Sequence, residues 1–208
     1  MSDVATVLKT AGQTYAEQAG IKLRDQPRPL WQLLVLANLL SARINSDVAV
    51  AAARELFAAG GDTPRGMARL TWQDRVDALG RGHYVRYDES TSSRLGECAE
   101  LLVGEYGGDM RKVAEEAGRD PKRLRQALQR FKGIGETGAD IFCREAQEVW
   151  PWLRPYFDKR ALSGAGRVHL PRDPGKLARL TKPDDLAHLA AALVRISRDT
   201  KLARKADT

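Results

Sequence analysis

Two glycines flank one apolar residue in the segment LQRFKGIGETGADIF, which covers residues 128–142. Gly133 and Gly135 can adopt backbone angles that are closed to other residues, so their N–H groups can point outward beside a helix that starts at Glu136. Outward N–H groups and the positive end of a helix dipole together form a site for an anion. The segment therefore predicts a phosphate-binding turn between two helices, with Ile134 pointing inward as a plug.

The same Gly-x-Gly pattern also fits a plain tight turn between two helices. The distribution of charge favours the anion site, because residues 122–182 carry a net charge of +8 and all other residues together −1, in a chain whose total is +7. Positive charge gathered around the turn is what a surface that binds a nucleic-acid backbone requires. Apolar residues on both sides of the turn are expected to lock the two helices together: Leu128, Phe131, Ala139 and Ile141.

The composition indicates a protein with a substantial core. A chain of 208 residues that is 43% hydrophobic fits one large domain or two small lobes. The longest apolar run, residues 30–40, is interrupted by Gln32 and Asn38 and is too short to span a bilayer, so we expect a central core helix there.

No signal peptide is recognisable, and the expected compartment is the cytoplasm, in association with the nucleoid if the protein is prokaryotic. Cys98 and Cys143 are expected to be reduced, buried thiols.

Hydrophobic periodicity predicts helices almost everywhere and no convincing strand. Ser46, Thr63 and Thr71 each precede a helical pattern, and Ser46 is expected to cap its helix. The last residues, KLARKADT, are expected to fray. The main predicted helices cover residues 3–18, 29–42, 46–59, 90–106, 109–117, about 158–164 and 184–197.

Three segments, in this order, resemble the endonuclease III-like superfamily of DNA glycosylases. They are LLSARINSDVAV at residues 39–50, the glycine-containing hairpin at 128–142, and PYFDKRAL, which contains Asp158. The resemblance covers about residues 28–165. It implies an all-α, two-lobed domain with a helix-hairpin-helix motif. One lobe would contain residues 1–28 and 136–208, the other would contain residues 29–135, and Asp158 would lie in the cleft between them.

The resemblance implies a catalytic role for Asp158. Breaking a base–sugar bond leaves positive charge on the deoxyribose, and a fixed carboxylate stabilises that charge and can orient the attacking water. A structural interpretation stays open, because Asp158 also precedes a short helix and could cap it while pairing with Lys159 or Arg160. One carboxylate could do both.

The resemblance also implies contacts with DNA. Extruding a base leaves a gap that a side chain must fill. Arg43 lies where family members insert a polar side chain, although a solvated surface position fits it equally, and the loop Gly82-His83-Tyr84 corresponds to a wedge between bases. Trp150 and Trp152 flank Pro151 before Asp158 and are either core or pocket residues. The remaining predicted DNA-binding residues are Lys132, Gly133, Ile134, Gly135, Thr137, Lys159 and Arg160.

The chain departs from the family pattern in two ways. Bifunctional members carry a strand-cleaving lysine two residues after the second hairpin glycine, where this chain has Thr137, which cannot form the required imine. Many members hold an iron–sulfur cluster on four cysteines, but no cysteine follows Cys143. His169 and His188 lie apart from each other and from any acidic cluster, so no metal site is expected.

The sequence therefore predicts a monomeric, monofunctional DNA glycosylase without a cofactor, acting in base-excision repair on double-stranded DNA that contains a lesion or a mismatch. Two alternatives stay open. A non-catalytic DNA-binding protein derived from a glycosylase would keep the hairpin and the basic surface. A structural helix-hairpin-helix module would instead need a partner surface within a larger complex.

Overall fold

The computed structural model describes residues 3–207 of the chain. Helices joined by short connections make up this part of the protein, and no β-strand occurs in it. The prediction of an all-α fold is thus confirmed. Within the described range, no helix combines the length and the apolar character needed to cross a membrane.

In chain order, the helices have the following bounds: α1 (Val4–Ala11), α2 (Tyr15–Gln18), α3 (Pro27–Ser41), α4 (Ser46–Leu56), α5 (Pro64–Arg69), α6 (Trp72–Arg81), α7 (Asp88–Tyr106), α8 (Met110–Glu116), α9 (Pro121–Leu128), α10 (Glu136–Ala146), α11 (Lys159–Arg167), α12 (Pro174–Ala178), α13 (Leu186–Arg198) and α14 (Thr200–Ala206). A π-helical turn follows α4, and single 3-10 turns precede α11 and α13, at Phe57–Gly61, Pro151–Leu153 and Pro183–Asp185. The chain divides into two compact units.

The first unit runs to Tyr15 and resumes at Cys143, and α13 forms its centre. One face of α13 is apolar and fully buried, and α1, α11 and α14 pack against this helix. The contact with α11 requires a glycine, because a side chain on Gly164 would stand 1.8 Å from the carbonyl oxygen of Leu193. The close approach of the two helices therefore depends on a missing side chain.

Residues 201–206 of the C-terminal segment belong to helix α14, which corrects the expectation that they fray, and Thr208 lies outside the described residues. Asp199 caps α14 by accepting hydrogen bonds from the N–H groups of Lys201 and Leu202. Ala203 and Ala206 are buried and lie three residues apart on one face. Since α14 contacts both α1 and α13, this small apolar face anchors it.

The second unit, Ala16–Phe142, is built around α3. Of the eleven residues from Leu30 to Leu40, all but Gln32 are buried, as the apolar run predicts. The buried ring N–H of Trp31 has a hydrogen-bond partner, because Nε1 donates to the carbonyl oxygen of Gly61 at 3.0 Å. Around this core α4 packs on α3 and α6, and α5 and α6 pack on α7.

Helix starts follow the capping residues, with two differences from the predictions. Thr63 caps α5, and Thr71 caps α6 in a reciprocal capping box with Asp74. The cap of α4 is Asn45 and not Ser46, because Asn45 is the extended residue and its side chain accepts from the N–H of Asp47. The helix predicted over residues 3–18 is two helices, α1 and α2, separated by a break at Gly12.

Candidate functional site

The hairpin between α9 and α10 has the apolar interior that the sequence predicts. Ile134 is buried, and so are the four residues predicted to lock the helices, Leu128, Phe131, Ala139 and Ile141. Gly133 has a positive φ of 83°, in the left-handed region that favours glycine. Gly135 does not have a positive φ, so only the first of the two glycines has the unusual backbone angles predicted for both.

Side chains from α3 and α7 bind the carbonyl oxygens of the turn. The oxygen of Lys132 accepts from Asn38 Nδ2 at 2.7 Å and from the Cys98 thiol at 3.2 Å. The oxygen of Gly133 accepts from the Ser41 hydroxyl at 3.2 Å. With these oxygens bound on the inner side, the turn is held in one conformation. The sequence showed Asn38 only as a polar residue in an apolar run and gave no sign of its partner.

The N–H groups that follow the turn have no partner inside the helix. Gly135 is the N-cap of α10, since its carbonyl oxygen accepts from the N–H of Ala139 at 3.0 Å. The N–H groups of the first helical turn therefore lack intrahelical acceptors. No atom lies within 4 Å of the position that a Cβ on Gly135 would occupy. Gly135 and Glu136 are both exposed, so the start of α10 is open to solvent.

The thiol of Cys98 is a protonated donor. Burial raises its pKa to about 12, and the negative charge of Glu97 acts in the same direction. A thiol with this pKa keeps its proton at neutral pH and can donate it to the oxygen of Lys132. Cys98 and Cys143 are both buried thiols, as predicted.

Only part of the loop predicted to wedge between bases is exposed. Gly82 lies against α4, where an added side chain would stand 2.4 Å from Ala52 Cα. His83 is exposed and has a positive φ of 62°. Tyr84 is buried, with 1% of its surface exposed, and burial raises the pKa of its hydroxyl, an effect that Thr91 and Arg94 oppose. This corrects the placement of Tyr84, whose ring belongs to the core because the chain turns inward after His83. The neighbouring Val85 is 65% exposed.

Other predicted DNA contacts in the second unit lie at its surface. Arg43 is exposed in the connection between α3 and α4, and Lys132 is exposed at the turn. Thr137 is half-buried in the first turn of α10.

Asp158 caps α11 and forms a buried ion pair. One carboxylate oxygen accepts from the N–H of Ala161 at 2.8 Å, which confirms the capping interpretation. The other accepts from Nη1 of Arg144. The partner is thus Arg144 and neither Lys159 nor Arg160, which are both exposed in the first turn of α11. The two paired side chains are only 2% and 4% exposed.

The segment that leads to Asp158 is held by hydrogen bonds that the sequence did not reveal. The side-chain amide of Gln147 donates to the carbonyl oxygen of Tyr156 and accepts from its N–H, each at 2.9 Å. Arg154 donates from Nε to the carbonyl oxygen of Gln147 at 2.7 Å. These bonds orient the chain on its way to the N-terminus of α11. The peptide bond between Arg154 and Pro155 is cis.

The two tryptophans near Asp158 stack on each other. Their ring centroids are 5.3 Å apart and the ring planes differ by 24°. Trp150 is buried, and Trp152 is half-buried. Trp150 is therefore a core residue, and Trp152 has the more accessible ring.

Comparison with known proteins identifies the fold. No protein-family model matches the chain, and no curated protein matches it. A solved structure of endonuclease III, trapped as a covalent intermediate with DNA in an estranged-adenine complex, is similar with a TM-score of 0.50. The two chains are 15% identical, and the match covers 86% of this chain and 81% of that chain. The fold is endonuclease III-like. At this identity, the likeness is one of fold alone.

The residues present do not fit the four-cysteine iron–sulfur cluster found in many endonuclease III-like proteins. The chain has two cysteines, Cys98 and Cys143, and they belong to different units. In residues 3–207, no group of three or more His, Cys, Asp or Glu side chains could hold a metal ion.

Proposed function

We propose that the protein is a monofunctional DNA glycosylase of the endonuclease III fold. It binds double-stranded DNA through the α9–α10 hairpin and hydrolyses the bond between deoxyribose and a damaged or mispaired base. The observation that carries the proposal is the hairpin itself, with a left-handed Gly133 and an open helix N-terminus at Gly135. Such a turn binds a backbone phosphate through N–H groups and the helix dipole, without reading the base sequence.

The chemistry is assigned to Asp158. As the glycosidic bond breaks, the electron pair leaves with the base, and the carboxylate stabilises the positive charge that remains on the sugar. Water then adds to the anomeric carbon, and the proton that it loses balances the charge of the departing base. Ala161 and Arg144 donate one hydrogen bond to each oxygen of Asp158, and a carboxylate can accept more. Because the side chain is only 4% exposed, this role requires that it become accessible to the sugar when DNA binds.

The ion pair of Asp158 also favours a second function, that of a non-catalytic DNA-binding protein. A carboxylate whose charge is already compensated by a buried guanidinium stabilises a nearby cation less than a free one does. In this case the hairpin and the exposed basic residues would bind DNA, and Asp158 would serve the fold alone. The two functions share the hairpin and differ only at Asp158.

A panel of lesion-bearing duplexes tests both functions. Duplexes with uracil, alkylated bases, oxidised bases or mismatched thymine are incubated with the protein, and hot alkali then cleaves any abasic product. The glycosylase proposal expects cleavage of at least one substrate by the wild type and none by Asp158→Asn. Binding of undamaged duplex is measured in parallel by fluorescence anisotropy.

Arg144→Lys is the matched control, because it perturbs the same ion pair but keeps both the carboxylate and a positive charge. Activity that is lost in Asp158→Asn and retained in Arg144→Lys assigns the chemistry to the carboxylate. Salt-dependent binding without excision of any substrate would support the DNA-binding protein instead. Absence of both binding and excision would contradict both functions.

A further inference from the structure

One face of α7 connects the two elements of the second unit that the sequence assigns to DNA. Thr91, Arg94 and Cys98 follow one another at intervals of three and four residues, so they lie on the same side of the helix. Thr91 lies close enough to Tyr84, in the loop predicted as the wedge, to lower the pKa of the tyrosine hydroxyl. Cys98 donates to the carbonyl oxygen of Lys132 in the hairpin. Arg94 lies between these two contacts.

The side chain of Arg94 lies against the hairpin turn. A Cβ built on Gly133 would stand 3.1 Å from Arg94 Cδ, so the aliphatic part of the arginine lies beside the glycine. The residue is exposed, and its guanidinium therefore reaches solvent beside the turn. Its positive charge also acts on the hydroxyl of Tyr84, where it opposes the effect of burial on the pKa.

The charge of Arg94 is not compensated by an ion pair. Other arginines of this unit bind acidic side chains, such as Arg81 with Glu55 at 2.9 Å and Arg130 with Glu105 at 2.5 Å. No ion pair of Arg94 occurs among the residues that the structure describes. An uncompensated guanidinium beside the turn that leads into a helix N-terminus adds to the attraction for an anion.

We propose that Arg94 is a further DNA-binding residue, whose guanidinium binds the backbone phosphate that the hairpin N–H groups bind. This inference rests on the DNA-binding part of the proposed function and not on its catalytic part. Guanidinium matches the geometry of a phosphate, because its planar fork can donate two parallel hydrogen bonds. Arg94 contacts the phosphate and not a base, so its contribution is the same for every sequence.

Arg65 on α5 offers a matched control. It is an exposed arginine of the same unit and also lacks an ion pair in the described part of the chain. Arg65 lies on α5, which faces another side of α7, as the contacts of Arg75 show. The guanidinium of Arg75 lies against Gly96 of α7 and also donates to the carbonyl oxygens of Met67 and Leu70 at the end of α5. Gly96 and Arg94 are two residues apart and thus point in nearly opposite directions from the helix axis.

The experiment measures binding of an undamaged duplex by fluorescence anisotropy at a series of salt concentrations. Arg94→Gln should weaken binding by about tenfold at low salt. It should also lower the slope of log K against log salt by about 1, since one phosphate contact is lost. Arg65→Gln should leave both quantities within about twofold of the wild type, and Arg94→Lys should retain most of the salt dependence. Circular dichroism spectra establish that each variant is folded.

The outcomes separate this inference from the proposed function. If the wild type binds DNA and Arg94→Gln behaves like Arg65→Gln, Arg94 is not a ligand and the inference is wrong. A loss confined to particular DNA sequences would also contradict it, because it would indicate base contacts. If the wild type shows no salt-dependent binding at all, the DNA-binding function itself fails.

Discussion

Arg144 and Asp158 form an ion pair inside the first unit, with their side chains 2% and 4% exposed. Removing two charges from water is costly, and the attraction between them offsets this only while both are present. The guanidinium has little else to bind, since its Nε lacks a hydrogen-bond partner in the described structure. Each member therefore depends on the other, and Asp158 has a structural role whether or not it also has a catalytic one.

Replacing Arg144 with methionine should destabilise the protein severely. Arg144→Met leaves the carboxylate of Asp158 buried without a cation, which lowers the free energy of unfolding by about 3–5 kcal/mol. Urea denaturation followed by tryptophan fluorescence measures the loss. The N-cap bond from Ala161 to Asp158 does not replace the missing charge.

The double variant Arg144→Met/Asp158→Asn provides the control. In the double variant neither charge remains buried alone. Its free energy of unfolding should therefore fall by less than the sum of the decreases in the two single variants, by at least about 1 kcal/mol. Losses that add within about 0.5 kcal/mol would mean that the two residues do not stabilise each other.

Gly133→Ala and Gly135→Ala should separate folding from DNA binding. Alanine at position 133 must take a left-handed conformation, and its methyl group would meet the amide of Asn38 at 2.9 Å, so we expect a loss of about 1–3 kcal/mol. Alanine at position 135 meets no atom within 4 Å and should cost less than about 1 kcal/mol, through weaker capping of α10.

Both glycine variants should bind duplex DNA more weakly than the wild type. For Gly135→Ala the reason is not stability, because the methyl group stands where the phosphate must approach the helix N-terminus. Thermal unfolding and anisotropy on the same samples distinguish the two effects. Unchanged DNA affinity in Gly135→Ala would exclude the helix N-terminus as the phosphate site.

The interior of the hairpin could be predicted from the sequence because it depends on local spacing. Leu128, Phe131 and Ile134 recur at the intervals of a helix and its turn, and all three are buried. The N-caps at Thr63 and Thr71 could be predicted for the same reason, since a cap acts within three residues of its own position.

The partners of Asp158 and of the hairpin turn could not be predicted because they depend on tertiary contacts. Arg144 lies 14 residues before Asp158, beside acidic residues that give no sign that its guanidinium turns inward. Asn38 is 94 residues away from Lys132, whose carbonyl oxygen it binds. Tyr84 lies in the basic loop Gly82-His83-Tyr84, as an exposed aromatic wedge would, and only the fold buries its ring.

The buried thiol of Cys98 should make stability fall at high pH. Its pKa is raised from 9.0 to about 12 in the folded protein, chiefly by burial. The unfolded chain therefore releases this proton at a lower pH than the folded chain does. The contribution of the protonated thiol to the free energy of unfolding is complete below the pKa that Cys98 has in the unfolded chain. It is lost as the pH rises toward about 12, by up to about 1.4 kcal/mol per pH unit.

Comparison with Cys98→Ala isolates this contribution, because all other groups titrate in both proteins. The free energy of unfolding, measured by urea denaturation between about pH 8 and pH 10.5, should decline more steeply in the wild type than in the variant. Parallel declines in the two proteins would mean that Cys98 ionises equally in the folded and unfolded states.

The wild type should form no covalent complex with abasic DNA in the presence of borohydride. By the resemblance to endonuclease III-like glycosylases, Thr137 corresponds to the lyase lysine. It has no amine, so no imine can form there for borohydride to reduce. Thr137→Lys supplies the amine in the first turn of α10 and should produce a trapped complex, which gel electrophoresis detects as a band of lower mobility. Thr137→Gln is the control for side-chain length.

Efficient trapping by the wild type would show that another lysine attacks the sugar and would overturn the assignment of a monofunctional enzyme. Trapping by Thr137→Lys alone would show that the start of α10 reaches the sugar of bound DNA, as the proposed function requires.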